Sequence, residues 1–195
     1  MKYAVLGAVV LVVGAVLAVW QFRLVRQDLS ARHEAIHAAW DDVEMGLRRR
    51  AELGMRLAAF MQKSGNPDPD VVRRADLAAQ QILDGHTPEE KIIAYTDLNT
   101  ALVDLLINAH RSRDILRRSG FQVLNYELES DENRIAHSRS QYNDAVQKYN
   151  TKLRLFPANL VAYLSSYRPE PAYFKTEVAS VPPEVPRKTK AKSHK

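Results

Sequence analysis

His33-Glu34-Ala35-Ile36-His37 spells H-E-x-x-H. On a helix this spacing sets two imidazoles one turn apart, where they can hold zinc, with Glu34 placed to activate a water. A catalytic zinc needs a third protein ligand. The downstream glycine and third histidine of the extended motif are absent, and Trp40 stands where that glycine would be. Glu52 lies too far along a straight helix to share the coordination sphere, and His86, His110 and Glu127 could approach only through tertiary folding. Ile36 belongs to an apolar stripe, so the preferred reading makes His33 and His37 surface residues flanking a packing position. A membrane-bound zinc metallopeptidase using His33, Glu34 and His37 is the alternative.

Other chemistry finds no support in the residues. There is no G-x-x-x-x-G-K-[ST] loop, no G-x-G-x-x-G and no G-x-S-x-G elbow. With no cysteine, disulfides, thiolate metal sites and cysteine nucleophiles are excluded. The expectation is a protein that is not an enzyme and takes no cofactor. Net charge is +5, but five of the Lys and Arg residues lie in the tail from Arg187 to Lys195, which leaves the remainder close to neutral. A basic face able to track a phosphate backbone is not indicated, so nucleic acid is not an expected partner. The tail itself could touch anionic lipid or RNA; a disordered, solubilising role is the simpler one.

The elements that would carry any site begin with an anchor. From Tyr3 to Phe22 no residue is charged, and the run is rich in Ala, Val, Leu and Gly. At about 1.5 Å per residue it matches a hydrocarbon core about 30 Å thick, with Trp20 near its end. It exceeds the usual signal-peptide core of about 7 to 15 residues and has no small-residue cleavage site after Trp20. We therefore read residues 1–24 as a transmembrane anchor. Lys2 against Arg23, Arg26 and Arg32 sets orientation by a small margin, and the expected side for the domain is cytoplasmic. No proline or glycine pair follows before Gly65, so the same helix should run on into the domain.

Past the anchor, Ile36, Trp40, Val43, Leu47, Leu57 and Met61 form an apolar stripe, with Arg50 and Gly54 on its intervening steps. Gly54 either admits a neighbouring helix or marks a weak point. Ser64 to Pro69 reads as a turn. Val71, Val72, Ala75, Ala78, Ala79, Ile82 and Leu83 follow on a second helix that Asp84-Gly85 should close. Thr87-Pro88-Glu89-Glu90 supplies a cap, an N1 proline and a capping-box glutamate. A third face comprises Ile92, Ile93, Leu98, Leu102, Leu105, Leu106 and Ala109.

The longest element is expected over Ser119 to Pro157. Phe121, Leu124, Leu128, Ile135, Tyr142, Val146, Tyr149, Leu153 and Phe156 share one stripe, and Glu132 and Arg139 fall within it. An unpaired ion in a seam costs several kcal/mol. Either both heads reach water on their stems, or Arg50, Glu132 and Arg139 form a buried polar layer, with Arg50 near Glu132 or Asp131 in an antiparallel first-to-last pairing. Tyr142-Asn143 and Tyr149-Asn150 repeat at seven residues. The asparagines would bridge to a neighbouring helix, or else the four residues form a stripe that receives a protein partner or a second copy of the chain.

Glu132-Asn133-Arg134-Ile135, Arg139, Tyr142-Asn143, Val146, Tyr149-Asn150 and Phe156-Pro157 together resemble the C-terminal signature of the LemA family. The likeness continues through Asn159, Ala162 and Phe174 and covers roughly residues 36 to 177. It implies a membrane-anchored bacterial helical protein of no established molecular function, with a very short outer N-terminus and a cytoplasmic domain. H-E-x-x-H is not part of that signature. The fold expected is all-α: an N-terminal transmembrane helix followed by an antiparallel four-helix bundle, residues 25–177, with long first and last helices. Residues 178–195 read as a disordered basic tail. The expected function is that of a single-pass membrane interaction or scaffold protein, with a protein partner and the capacity for homo-oligomers.

Overall fold

The computed structural model describes residues 2–64 and 68–174, so the expected tail lies outside the described residues. Every regular element among them is a helix. The first, α1 (Lys2–Ser64), is unbroken for 63 residues, about 95 Å at the standard rise. Its first third is apolar and exposed, long and apolar enough to cross a membrane; the rest enters the domain core.

Two caps start the next helices. Asp68 caps α2 (Pro69–Asp84), its side chain accepting from the Asp70 N–H at 2.9 Å. Thr87 caps α3 (Pro88–His110) in a full capping box, with the Glu90 N–H donating to Thr87 Oγ1 and the Thr87 N–H to Glu90 Oε2. Gly85, between them, closes α2 as expected, with φ −60° and ψ 137°, an extended conformation. Glycine is required there by space: a Cβ would lie 2.8 Å from the Gln81 carbonyl oxygen.

A short helix, α4 (Arg113–Arg117), leads into α5 (Ser119–Arg154), which runs antiparallel to α1. The register is set by Arg118 on Ser64 (2.9 Å), Arg56 on Glu127 (3.1 Å), Arg50 on Glu132 (3.0 Å) and Lys152 on Asp28 (2.9 Å). Packing is organised about α1, which meets α5 on one side and the α2–α3 hairpin on another. Gly46 and Gly54 are the close approaches. A Cβ at Gly46 would sit 2.8 Å from Ile135 Cγ1, and one at Gly54 would sit 3.0 Å from Leu98 Cδ1, so Gly54 admits a neighbouring helix. After α5 come α6 (Ala158–Leu164), which packs on α1, and an extended segment from Arg168 to Phe174.

The stripes read from the sequence form the core, with two exceptions. Phe156, placed in the α5 stripe by periodicity, is 82% exposed because α5 ends at Arg154 and the helical phase is lost. Ile93 is exposed while its neighbours Ala94 and Tyr95 are buried. Tyr95 shares a helix face with Leu98 and Leu102, at i+3 and i+7, a signal that was available in the sequence. The helix α3 also has the length and composition of a span, but one face of it, Tyr95, Leu98, Leu102 and Leu105, is buried in the domain core.

Candidate interaction site: a polar layer and an asparagine clamp

Halfway along the α1–α5 seam the core turns polar. Arg50 spreads its guanidinium over three partners: Nη2 lies 3.0 Å from Glu132 Oε2, Nη1 donates to the Leu128 carbonyl at 3.0 Å, and Nε donates to Asn99 Oδ1 at 3.0 Å. The planar fork thus ties α1 to α5 and α3 at once. From α3, the Tyr95 hydroxyl lies 3.1 and 3.2 Å from the two oxygens of Glu132. Burial raises the Tyr95 pKa, and the Glu132 charge adds to the effect, so the phenol stays protonated as a donor. Arg139 joins through Tyr95: Nη1 is 3.4 Å from the hydroxyl, and Cζ lies 5.4 Å from the Tyr95 ring centroid and 4.9 Å from that of Phe174.

Three more charges flank the layer: Lys91 and Glu44, which the sequence reading did not single out, and Asp131, which it named as an alternative partner for Arg50. Lys91, nearly buried on α3, pairs with Glu44, which Arg48 also holds at 2.8 Å. These two cations, Lys91 first, pull the Glu44 pKa below its ordinary value. Asp131 is buried on the other flank, with Arg49 Nε 3.6 Å from Oδ1 and no hydrogen bond to Oδ2. Burial dominates there and raises its pKa. It borders an open groove between α1 and α5 that Met45, Arg49, Arg134 and His137 also line.

Further along α5 lie the tyrosine-asparagine pairs, and the structure corrects the expectation for them. Their partner is an extended segment of the same chain, neither a neighbouring helix nor a vacant stripe. Asn150 Nδ2 donates to the Glu170 carbonyl and Asn150 Oδ1 accepts from the Glu170 N–H, both at 2.9 Å. Asn143 repeats the pattern with Phe174, at 2.9 and 3.0 Å. Alternating with these contacts along the segment, Tyr149 donates to the Arg168 carbonyl at 3.0 Å and Tyr142 to the Ala172 carbonyl at 3.3 Å. Seven residues of helix span about 10 Å and four residues of fully extended chain about 13 Å, so a segment short of full extension can meet both asparagines. Side-chain amides here do the work of a strand edge: each pairs a main-chain N–H and C=O that burial would otherwise leave unsatisfied. Phe174 is thereby seated among Trp40, Tyr95 and Tyr142.

His33 and His37 sit near the opposite end of this clamp. Their ring centroids are 4.7 Å apart, and His33 packs against Tyr149 (5.5 Å) and Tyr167 (6.4 Å). Among the described residues no group of three or more His, Cys, Asp or Glu side chains is placed to hold a metal ion. Apart from His37, the ring neighbours of His33 are Tyr149 and Tyr167. The geometry of the whole site is therefore one of paired groups that fix helices and main chain.

These features define a class: an all-helical domain carried on a long N-terminal apolar helix, with a polar layer in its seam and its own extended segment clamped along the last long helix. The chain belongs to the LemA family, whose model matches residues 39–186. His33 and His37 fall before the matched stretch; Arg50, Glu132, Arg139 and both tyrosine-asparagine pairs fall within it. No curated protein matches the chain.

Proposed function

We propose that this protein is a single-pass membrane protein of the bacterial cytoplasmic membrane, whose domain acts without catalysis as an interaction scaffold on the cytoplasmic side. The observation that carries this reading is the continuity of α1. One helix runs from the exposed apolar run into the core, where it holds α5, α2 and α3. A flexible linker would let the domain wander; a helix with no break fixes its height and direction above the bilayer. A scaffold gains from that, because holding a partner at a set distance from the membrane raises its effective concentration there. The three partners of Arg50, and Glu132 held by both Arg50 and Tyr95, support a structural role for the layer they form with Arg139.

Photo-crosslinking from the open α1–α5 groove, at Met45 in native membranes, tests this reading. A discrete captured protein, either another species or a second copy of the chain, is the expected result. Recovery of the intact chain from the aqueous fraction would refute the anchoring half. A hydrolytic activity that copurifies with stoichiometric zinc and disappears in His37→Ala would refute the non-catalytic half.

A further inference from the structure

Among the described residues of the domain, exposed apolar side chains are densest in one place. Leu155, Phe156, Leu160, Tyr163 and Leu164 fall within ten residues, and Phe156 and Tyr163 are more than four-fifths exposed. Elsewhere they stand singly, as at Met45, Leu77 and Ile93, or in pairs one turn apart, Val103 with Ile107 on α3 and Val123 with Tyr126 on α5, the ordinary pattern for a folded surface. A cluster of this kind marks a contact. In α6 the opposite face, Ala158, Val161 and Ala162, is buried, so the helix is apolar on both sides and only one side has a partner within the chain.

Register places the cluster at the membrane. Lys152 pairs with Asp28, six residues beyond the end of the uncharged run at Phe22, or about 9 Å along the α1 axis. The chain then turns past Arg154 and packs α6 back on α1. Val25 is buried there, and Phe22 itself is partly covered by the core. The underside of the domain thus descends to the level where the span ends. Around it stand exposed cations: Arg23, Arg26, Arg154 and Arg168.

We infer that Leu155 to Leu164 forms a second membrane contact, a foot whose apolar side chains lie in the boundary between headgroups and acyl chains beside the emerging α1. The occupant of this face is the bilayer. Continuity with the span selects it: the patch adjoins a helix whose apolar length already requires lipid, at the depth where interfacial aromatic residues and flanking arginines are stable. Two contacts fix the rotation of the domain about α1, which a single span leaves free. The inference rests on the anchoring proposed above.

The absence of cysteine makes the test clean. The full chain is reconstituted into vesicles of phosphatidylethanolamine and phosphatidylglycerol with a spin label at Phe156→Cys, Tyr163→Cys, Val12→Cys or Tyr126→Cys, one per protein. Collisions with oxygen and with a water-soluble nickel chelate are then compared. The expected result is lipid-like accessibility at 12, 156 and 163, shallower at the last two, with aqueous accessibility at 126. Lipid at 12 with water at 156 and 163 overturns the foot and leaves the span. Shielding of 156 and 163 from both reagents also overturns it, since a protein or a second copy then covers the face. Lipid at 156 and 163 with water at 12 sinks the span and keeps the foot, whereas water at all three sinks both.

Discussion

Arg50 and Glu132 meet at 3.0 Å across the α1–α5 seam, and the other two donor edges of the same guanidinium are taken by Leu128 and Asn99. Three helices are therefore locked by one side chain. Breaking a buried pair costs about 3 kcal/mol, because the surviving partner keeps its desolvation penalty. We predict that Arg50→Met lowers the melting temperature by about 10 °C in circular-dichroism melts of the reconstituted chain. The double variant Arg50→Met with Glu132→Leu should recover most of the loss, since it removes the stranded charge as well. Unchanged melting of the single variant would count against a load on this layer.

Asp131 and Glu44 should respond to pH in opposite directions. Burial raises the folded-state pKa of Asp131, so its ionised form opposes folding; that penalty is absent below the unfolded pKa and grows as pH rises towards the folded one. Lys91 and Arg48 depress the folded pKa of Glu44, so its contribution is present above the unfolded pKa and lost as pH falls through the folded one. Asp131→Asn is expected to stabilise the domain at neutral pH and to lose that advantage near pH 4. Glu44→Gln should destabilise most at neutral pH. Paired melting curves across that range decide it, and a common trend for both variants would disprove the assignment.

The asparagine clamp predicts which amides are protected. Asn150 accepts from the Glu170 N–H and Asn143 from the Phe174 N–H. One hydrogen bond of about 1 kcal/mol corresponds to a change of several-fold in local opening. Hydrogen exchange in Asn150→Leu should show the Glu170 amide exchanging about tenfold faster, with the α2–α3 hairpin unaffected. Equal rates in both proteins would mean that Asn150 does not hold the segment, which its contacts with Tyr142, Asn143 and Tyr149 then keep in place.

The two seam glycines should tolerate alanine differently. Alanine gains about 1 kcal/mol of helix propensity over glycine at either position. At Gly54 the obstacle is Leu98 Cδ1 at 3.0 Å, the end of a flexible side chain that can give way. At Gly46 it is Ile135 Cγ1 at 2.8 Å, close to a β-branched stem that is stiff at χ1. Gly54→Ala should therefore melt within a few degrees of the parent, whereas Gly46→Ala should lose about 1–2 kcal/mol net to overpacking. The reverse order would show that α5, not α3, is the element free to shift.

How much could be read beforehand follows the range of each interaction. The apolar first helix, the cap at Thr87, the α5 stripe and the placing of Arg50 opposite Glu132 or Asp131 all depend on periodicity or on antiparallel register, and both are properties of position along a chain. Phe156 escaped because periodicity cannot announce where a helix stops. The core face of Tyr95 was legible from its spacing to Leu98 and Leu102, but the polar partners of Tyr95 and Asn99 lie on other helices, and Lys91 with Glu44 escaped because two ordinary surface types became a buried pair only when α3 closed on α1.

By itself, then, the sequence determined that this protein is helical, that its first helix is greasy enough for lipid, and that charged residues fall on the stripe of a seam. Only the tertiary structure decided what the asparagines hold and where the exposed aromatics stand. Helical phase orients a side chain relative to its own axis; what it meets there depends on how separate axes and a returning extended segment come to rest against one another.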